Sequence, residues 1–579
     1  MEIQERYSAW LNSEALSSSE KAELKALADN AEEIKSRFFS QLEFGTAGLR
    51  GVMGVGLNRM NVHVIRHATQ AFAEVILEDG GDGKKSVVIC FDCRDKSPEF
   101  AQEAASVMAA NSISVLIFDA LRPTPELSFA IREYGCTAGI NVTASHNTSE
   151  YNGYKVYWSD GAQLPPVQAA SVAEKMAQLD MFAGVKRMDY GAAVEKGLVH
   201  MLGRETDELF LKNVMGMAND FEAVAAVAEE FKVVYTPFHG AGYILVPEAL
   251  RRLGVKNLYC VPEQMITDGN FPTVESPNPE NPEGFALAVK LADEKGADLI
   301  IGTDPDSDRV GIMVRDNNGA FVPITGNQTG VLLLDYLIGA KKRAGTMPER
   351  PVALKTIVST EMVRRVANEN GVQCVDTFTG FKFMAEEKNR LEAAGEGKVI
   401  FSFEESYGYM LGDYVRDKDA VSASLLLAEM AAWYFGKGMT LFAALEQMFE
   451  KYGCHMEETI NIYMPGLDGL KKMQDLMDSL RNTPPESIAS VGVVSVKDYL
   501  TGEETNLSSG AKTKIEPVGS NVLRFELTDA TSILIRPSGT EPKIKVYILA
   551  SGCSKPDCED KVKKYSDWAE KLNGQPDME

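Results

Sequence analysis

The stretch Ala297-Asp298-Leu299-Ile300-Ile301-Gly302-Thr303-Asp304-Pro305-Asp306-Ser307-Asp308-Arg309 joins a short apolar run to three alternating aspartates. The apolar part has the length of a buried strand, and Pro305 disfavours a helix after it. Asp304, Asp306 and Asp308 therefore fall on an extended loop at a strand end, where alternate side chains point the same way. Three converging carboxylates are hard oxygen ligands of the kind that Mg²⁺ or a similar cation prefers.

Two other interpretations of this acidic loop differ in what the sequence allows. An EF-hand calcium loop needs Gly at its sixth position and Glu at its twelfth, but Arg309 and Arg315 stand there. A solvated acidic turn stays open as an alternative. The metal site is favoured because α/β proteins bind ligands at the ends of buried strands.

Short apolar runs alternate with helical segments along most of the chain. Intervening helices are predicted at Glu283–Lys295 and Glu361–Asn370. Strands that alternate with helices indicate α/β layers with largely parallel sheets. The predicted buried strands are 86–92, 112–119, 138–144, 232–238, 297–304 and 398–403.

The last part of the chain has a different pattern. Strands predicted at 521–529, 531–537 and 543–550 are separated by short turns, and a helix follows Lys555. This order is typical of antiparallel pairing, so an α+β domain is expected at the end.

Loop signals at 324–330 and 451–458 mark where the third and fourth domains begin. The predicted domains are 1–205, 206–323, 324–450 and 451–579, the first opening with a helical extension.

The composition and charge of the chain argue against some classes of binding partner. The 579 residues suggest about three to five domains. With a formal net charge of −24, the chain is a poor candidate for nucleic acid or an anionic membrane. A phosphorylated substrate would need a local cationic cluster to overcome this field. No signal peptide or membrane-length apolar stretch is evident, and the lone C-x-x-C of Cys90 and Cys93 lacks the second pair or following helix start that a redox or metal role needs. A cytoplasmic protein is therefore predicted.

A second loop, Thr143-Ala144-Ser145-His146-Asn147, also follows a predicted strand. Ser145 is a candidate nucleophile, although it lacks the G-x-S-x-G elbow of hydrolases. Lys155 is a plausible base or charge partner for a phosphoryl-accepting hydroxyl, and Gly153 is expected to supply the turn that returns it to Ser145. An ordinary turn is the alternative, since Ser and Asn are common turn residues.

Two further loops carry polar groups. Phe403-Glu404-Glu405-Ser406-Tyr407-Gly408 can hydrogen-bond sugar hydroxyls, or it can be a capped helix start. Arg536-Pro537-Ser538-Gly539-Thr540-Glu541-Pro542-Lys543 has the composition of a phosphate cradle, with backbone N–H groups, hydroxyls and a bidentate arginine. A tight hairpin turn is the alternative for this second loop.

Together and in this order, the four loops resemble the α-D-phosphohexomutase family. The resemblance also includes Phe44-Gly45-Thr46-Ala47-Gly48-Leu49-Arg50-Gly51 and covers nearly the whole chain. It is closest to the phosphoglucomutase/phosphopentomutase branch. The family resemblance implies three similar α/β domains with mixed, largely parallel sheets and a C-terminal α+β domain, arranged around a central active-site cleft.

The resemblance also implies residue roles. Ser145 would carry the phosphoryl group, and its phosphate oxygen would complete a Mg²⁺ site made by Asp304, Asp306 and Asp308. His146, Lys155, Arg50 and Arg309 would surround the transferred group. The substrate would be bound by Glu404, Ser406, Lys382, Arg536, Ser538, Gly539, Thr540 and Lys543.

The implied activity is an intramolecular phosphotransfer, an isomerase reaction. It would interconvert glucose 1-phosphate and glucose 6-phosphate through a phosphoserine enzyme and glucose 1,6-bisphosphate. Mannose or pentose phosphates are alternative substrates, and a metal-dependent sugar phosphatase or a non-catalytic sugar-phosphate sensor are alternatives from other classes. The expected partners are small-molecule sugar phosphates, with a monomer or homodimer.

One departure from the family pattern concerns a proton-handling histidine. Many members have Gly-His after the serine of the sugar loop, whereas this chain has Tyr407-Gly408-Tyr409. Either Tyr409 or another group takes the place of that histidine, or this branch works without it.

Overall fold

The computed structural model describes residues 2–45, 48–79, 81, 83–464, 469–538 and 543–572. The chain forms two compact units. Unit 1 comprises Met1–Ile324 and Tyr407–Thr440, and unit 2 comprises Thr325–Ser406 and Leu441–Glu579. The division into four domains stays a prediction, as does their arrangement around a cleft.

The N-terminal part of unit 1 is helical, as predicted. Ser17 caps the second helix, because its side chain accepts a hydrogen bond from the backbone of Glu20 while the Glu20 carboxylate accepts one from the backbone of Ser17. The three helices are α1 (Ile3–Asn12), α2 (Ser18–Ala26) and α3 (Ala31–Phe38).

A six-stranded mixed sheet follows. Its order is β1-β5-β4-β2-β3-β6, with β4, β2, β3 and β6 parallel to one another, β5 antiparallel to β4, and β1 antiparallel to β5. The strands are β1 (Leu49–Val52), β2 (Ser86–Phe91), β3 (Ser114–Phe118), β4 (Ala138–Val142), β5 (Tyr151–Trp158) and β6 (Val199–Leu202). The helices of this part are α4 (Val62–Asp79), α5 (Ser97–Ala110), α6 (Thr124–Glu133), α7 (Pro166–Gln178) and α8 (Tyr190–Glu195).

The second sheet of unit 1 has five strands in the order β11-β10-β9-β7-β8. Strand β7 pairs in parallel with β8 and β9, while β10 and β11 are antiparallel. The predicted helix at Glu283–Lys295 starts as a 3₁₀-helix at Pro282–Phe285 before it becomes α-helical. The elements are α9 (Arg204–Met215), α10 (Phe221–Val227), β7 (Lys232–Thr236), α11 (Gly242–Leu253), β8 (Asn257–Cys260), α12 (Ala286–Lys295), β9 (Leu299–Thr303), β10 (Val310–Arg315) and β11 (Phe321–Ile324).

Unit 2 begins with a parallel sheet in which β12 lies between β13 and β14. Its elements are α13 (Gly326–Ala344), β12 (Pro351–Thr356), α14 (Met362–Glu369), β13 (Gln373–Thr377), α15 (Phe381–Ala393) and β14 (Lys398–Glu404). The chain then returns to unit 1 as β15 (Gly408–Met410) and the buried helix α16 (Ala420–Phe435). Helix α16 packs on α9, α10 and α11.

The C-terminal part of unit 2 is an antiparallel sheet in the order β16-β23-β22-β21-β18-β19-β20, with β17 paired to β18. Helices α18 and α19 pack on this sheet. Part of the predicted loop at 451–458 is in fact the start of β16, because ten residues of β16 pair with β23. The elements are α17 (Leu441–Tyr452), β16 (Cys454–Tyr463), α18 (Gly469–Asn482), β17 (Ser487–Ile488), β18 (Val491–Asp498), β19 (Glu503–Asn506), β20 (Lys512–Lys514), β21 (Leu523–Leu527), β22 (Ser532–Pro537), β23 (Lys543–Gly552) and α19 (Lys555–Lys571).

The predicted fold class is confirmed. Three sheets with parallel strands and helices precede an antiparallel sheet with helices, as the order of apolar runs indicated. No described helix combines the length and apolar character that crossing a lipid bilayer requires.

Candidate active site

The acidic loop leaves β9 at Thr303 and is held by its own first aspartate. Asp304 Oδ1 accepts hydrogen bonds from the backbone N–H groups of Asp308 (3.1 Å) and Arg309 (3.0 Å). Ser307 adopts a left-handed conformation, with a φ of 52°, which is uncommon for a residue with a side chain. The loop is thus folded back on itself at the end of a buried strand.

The three aspartates of this loop converge. One carboxylate oxygen from each of Asp304, Asp306 and Asp308 lies within 4.8 Å of the other two, and all three residues are buried. Burial and the neighbouring carboxylates raise the pKa of Asp304 well above its usual value. Burial alone would also raise the pKa of Asp306, but the Lys155 ammonium and hydrogen bonds with Lys155, Asp304 and Thr124 together lower that pKa.

Two lysines place ammonium groups beside this triad. Lys155 Nζ lies 2.7 Å from Asp306 Oδ2 and 3.5 Å from Asp308 Oδ2. Lys418 Nζ lies 3.2 Å from Asp308 Oδ2. Burial alone would lower the pKa of Lys155, but the carboxylates of Asp306 and Asp308 raise it above its usual value. Lys155 therefore carries a positive charge in this arrangement.

Ser145 lies directly against the triad. Its Oγ donates a hydrogen bond of 2.8 Å to Asp304 Oδ2 and lies 3.1 Å from His146 Nδ1. Ser145 is buried and has a positive φ of 52°. Burial lowers the pKa of His146 well below its usual value, and the positive charges of Arg309 and Arg50 lower it further. The imidazole is therefore neutral at neutral pH.

The two predicted arginines occupy the edge of this cluster. Arg50 on β1 donates a hydrogen bond of 3.0 Å to the side chain of Asn147, in the Ser145 loop. Arg309 forms an ion pair of 3.0 Å with Glu280, and its Nε lies 3.9 Å from Asp308 Oδ1. The structure thus brings together all the residues predicted to act on the transferred group.

Gly153 does not form the predicted turn. It lies inside β5, where it pairs with Arg50 of β1. A Cβ at this position would lie 2.4 Å from the backbone oxygen of Thr143 and 3.0 Å from that of Leu49. Glycine is required here because the neighbouring backbones approach closely, and Lys155 reaches the triad from a strand.

The remaining predicted residues lie in unit 2. Glu404 is buried at the end of β14, and Arg536 lies near the end of β22. Arg536 hydrogen-bonds Tyr547, whose pKa is raised by burial and then by the charges of Glu405 and Glu404, so these two loops lie near one another. Ser406 follows Glu404 on the chain.

The structure describes different contacts for the other predicted substrate-binding residues. Lys382, whose pKa is lowered by burial, lies over the ring of Phe383 at 4.9 Å. The backbone N–H of Ser538 donates to the carbonyl of Lys543 (2.8 Å), and the Lys543 ammonium lies 5.7 Å from the Tyr463 ring centroid. Gly539 and Thr540 lie outside the described residues.

Sequence reasoning missed three groups that the structure places at the Ser145 loop and the triad. Arg94 is buried and donates hydrogen bonds to the backbone carbonyls of Ser145 (2.6 Å) and Thr148 (2.8 Å). Lys418 contacts Asp308, and Thr124 contacts Asp306. Only Arg94 had a usable signal, because it stands among polar residues just after a predicted strand. Tyr409, considered as a substitute for the missing histidine, is buried on β15.

The donor set fits a hard divalent cation. Asp306 Oδ1 is buried and has no hydrogen-bond donor among the described residues, and the Asp306 carboxylate converges with those of Asp304 and Asp308. Such crowded oxygens are stabilised by a cation that several carboxylates share. A separate cavity of about 810 Å³ lies between the N-terminal helices and α5, and none of the predicted site residues lines it.

The chain matches known proteins over most of its length. Residues 41–182, 210–319 and 325–452 match the profiles of domains I, II and III described as phosphoglucomutase/phosphomannomutase alpha/beta/alpha domains. Phosphoglucomutases from Staphylococcus aureus strains MSSA476 and N315 are each 37% identical to the chain over 548 residues, which is 93% of both proteins.

Solved structures share the fold at lower identity. A putative phosphomannomutase from Thermus thermophilus has a TM-score of 0.67 and 21% identity, covering 92% of this chain and 99% of that one. The exocytosis-sensitive phosphoprotein pp63/parafusin from Paramecium, a phosphoglucomutase, has a TM-score of 0.68 and 18% identity, covering 92% and 96%.

The close approach at Gly153 predicts the effect of a single methyl group. In Gly153→Ala, the new Cβ would collide with backbone atoms that have little freedom to move, so we expect a loss of about 1–3 kcal/mol in unfolding free energy. Amides around 143–155 should also exchange faster with solvent. Gly339→Ala is the control, because it lies in α13 beside only a flexible arginine end. Equal stability and exchange in Gly153→Ala and wild type would contradict the prediction.

Proposed function

The chain belongs to the phosphoglucomutase/phosphomannomutase family, and we propose that it is a phosphoglucomutase acting through phosphorylated Ser145. The observation that carries the proposal is the contact between Ser145 Oγ and the buried triad, 2.8 Å from Asp304. The 37% identity to phosphoglucomutases over 93% of the chain supports glucose phosphates as substrates. Glucose 1,6-bisphosphate is the intermediate that this chemistry requires.

In the proposed reaction, a hydroxyl of the bound sugar monophosphate attacks the phosphorus on Ser145. The new bond joins phosphorus to the sugar oxygen, the bond to Ser145 Oγ breaks, and the hydroxyl proton ends on Oγ. His146 is neutral and 3.1 Å from Oγ, so its Nδ1 can exchange a proton with that oxygen. The sugar bisphosphate then turns over and returns its other phosphoryl group to Ser145.

The positive groups of unit 1 supply most of the electrostatic stabilisation in this proposal. Phosphoryl transfer needs mainly positioning and charge neutralisation. Lys155 stays protonated beside Asp306 and can neutralise the transferred group, which favours a charge role for it over the predicted role as a base. Mg²⁺ held by Asp304, Asp306 and Asp308 would further polarise the phosphoryl oxygens. Lys418, beside Asp308, is a candidate for the role left open by the missing proton-handling histidine.

Unit 2 has the groups that would recognise the substrate. Glu404 can accept hydrogen bonds from sugar hydroxyls, and Ser406 can donate or accept them. Arg536, oriented by Tyr547, can bind the phosphate that does not react. We propose that Lys382, Ser538 and Lys543, with Gly539 and Thr540, contribute to the same subsite.

Removing the Ser145 hydroxyl tests the phosphoserine. Ser145→Ala should lower kcat for glucose 1-phosphate by a factor on the order of 10⁴ or more, because the hydroxyl that carries the phosphoryl group in this mechanism is lost. Mass spectrometry should find one phosphoryl group on wild-type protein, on the peptide that contains Ser145. Ser171→Ala is the control, since that hydroxyl only bonds to the backbone of its own helix. Substantial mutase activity in Ser145→Ala would rule out the mechanism.

Removing one carboxylate tests the metal site. Asp306→Ala should abolish both activity and the response to added Mg²⁺, because one of the three converging carboxylates is lost. Asp293→Ala, at an exposed position paired with Arg315, should keep both. Wild-type rates in the Asp306 variant after treatment with a chelator would show that the triad is not the metal site.

Comparing substrates tests the choice of sugar. With Mg²⁺ and a trace of glucose 1,6-bisphosphate, kcat/KM should be higher for glucose 1-phosphate than for mannose 1-phosphate or ribose 1-phosphate. Glu404→Gln should lower the glucose value by at least about tenfold, because a hydrogen-bond acceptor of the site is changed. Glu396→Gln, at an exposed ion pair, is the matched control. Preference for another sugar would correct the substrate, and release of inorganic phosphate as the main product would indicate a phosphatase.

A further inference from the structure

The two carboxylate oxygens of Asp306 have different surroundings. Asp306 Oδ2 accepts hydrogen bonds from Lys155 Nζ (2.7 Å) and from Thr124 Oγ1 (2.9 Å). Asp306 Oδ1 is buried and has no hydrogen-bond donor among the residues that the structure describes. A carboxylate held through one oxygen cannot rotate without breaking those bonds, so the other oxygen keeps a fixed direction.

The direction of the Thr124 hydroxyl proton is set by a second neighbour. Asn141 Nδ2 donates a hydrogen bond of 2.7 Å to Thr124 Oγ1. A hydroxyl has a single proton to donate, and with Asn141 occupying an acceptor position that proton is left for Asp306. Both Thr124 and Asn141 are fully buried, so water does not compete for these bonds.

Thr124 also holds the backbone of the acidic loop. Its N–H donates a hydrogen bond of 2.8 Å to the carbonyl oxygen of Asp306. Thr124 is the first residue of α6, and N–H groups in the first turn of a helix have no partner within the helix. The first residue of α6 therefore donates two hydrogen bonds to Asp306, one to its main-chain carbonyl and one to its side chain.

We propose that Thr124 is a positioning residue for the metal site, fixing Asp306 so that Oδ1 is presented to the bound cation. This inference rests on the proposed function only in taking the triad as a divalent-cation site. Groups that orient metal ligands through hydrogen bonds usually change metal affinity by about 10–100-fold when removed.

The same contact ties the metal ligand to the strand that leads to the nucleophile. Asn141 lies on β4, which runs into the loop that contains Ser145. Hydrogen bonds from Asn141 to Thr124 and from Thr124 to Asp306 thus connect that strand to the acidic loop. Thr124 accordingly helps to fix the separation between Ser145 and the cation.

The test is the affinity of the purified, dephosphorylated full-length protein for Mn²⁺, measured by electron paramagnetic resonance. Thr124→Val keeps the shape but lacks the hydroxyl, and it should weaken Mn²⁺ binding by about 10–100-fold. Thr124→Ser keeps the hydroxyl and should restore affinity to within about threefold of wild type. The Mg²⁺ concentration for half-maximal activity should rise in Thr124→Val by the same factor as the dissociation constant.

Thr69→Val is the matched control, because Thr69 is equally buried and its hydroxyl contacts the Ile65 carbonyl (2.7 Å) and the Tyr154 hydroxyl (3.0 Å) instead of an aspartate of the triad. Wild-type affinity in Thr124→Val would overturn the proposal, as would equal losses in Thr124→Val and Thr124→Ser. If Thr124→Val does not fold, Thr124→Ala takes its place with the same expectation. Normal Mn²⁺ binding without mutase activity in wild type would refute the proposed function alone, whereas absence of Mn²⁺ binding would refute this inference.

Discussion

Repulsion among three buried carboxylates is the constraint on which the arrangement of unit 1 depends. Two unit charges about 4 Å apart repel by about 4 kcal/mol at the effective dielectric constant near a protein surface. The cost is offset by ammonium groups from distant parts of the chain: Lys155 on β5 and Lys418 in the segment 407–440. The return of that segment to unit 1 after residues 325–406 places Lys418 beside Asp308 and helix α16 against α9, α10 and α11.

The cations beside the triad also explain how a chain with a net charge of −24 can bind a phosphorylated substrate. A negative protein repels a sugar phosphate at long range, but salt screens that repulsion over about 10 Å. Within the cluster around Ser145, the cations Lys155, Lys418, Arg50 and Arg309 act at short range. A charge distribution of this kind leaves the overall field unfavourable for a phosphate while making the surroundings of Ser145 locally favourable.

The sequence predicted those parts of the structure that depend on local pattern. Apolar runs located nine strands, and polar residues after three of those runs located the loops of Ser145, Asp304 and Glu404, because chain order alone puts such residues at strand ends. Lys418 and Thr124 could not be found in this way, since each meets its aspartate through tertiary packing over more than 100 residues. The role of Gly153 was misjudged for the same reason: the backbones that exclude a side chain there belong to other segments.

The backbone at these loops shows how the geometry is maintained. Ser145, Ser307 and Tyr407 all have positive φ values, a conformation that costs of order 1–3 kcal/mol for a residue with a side chain. Each is held by hydrogen bonds to its own carbonyl oxygen: Arg94 donates to Ser145, the Ala420 N–H to Ser307 and the Val310 N–H to Tyr407. These hydrogen bonds help to keep the three loops in conformations that residues with side chains otherwise disfavour. Phosphoryl transfer depends on the positioning of the reacting groups and of the charges around them. Loops that are held in fixed conformations provide that positioning directly.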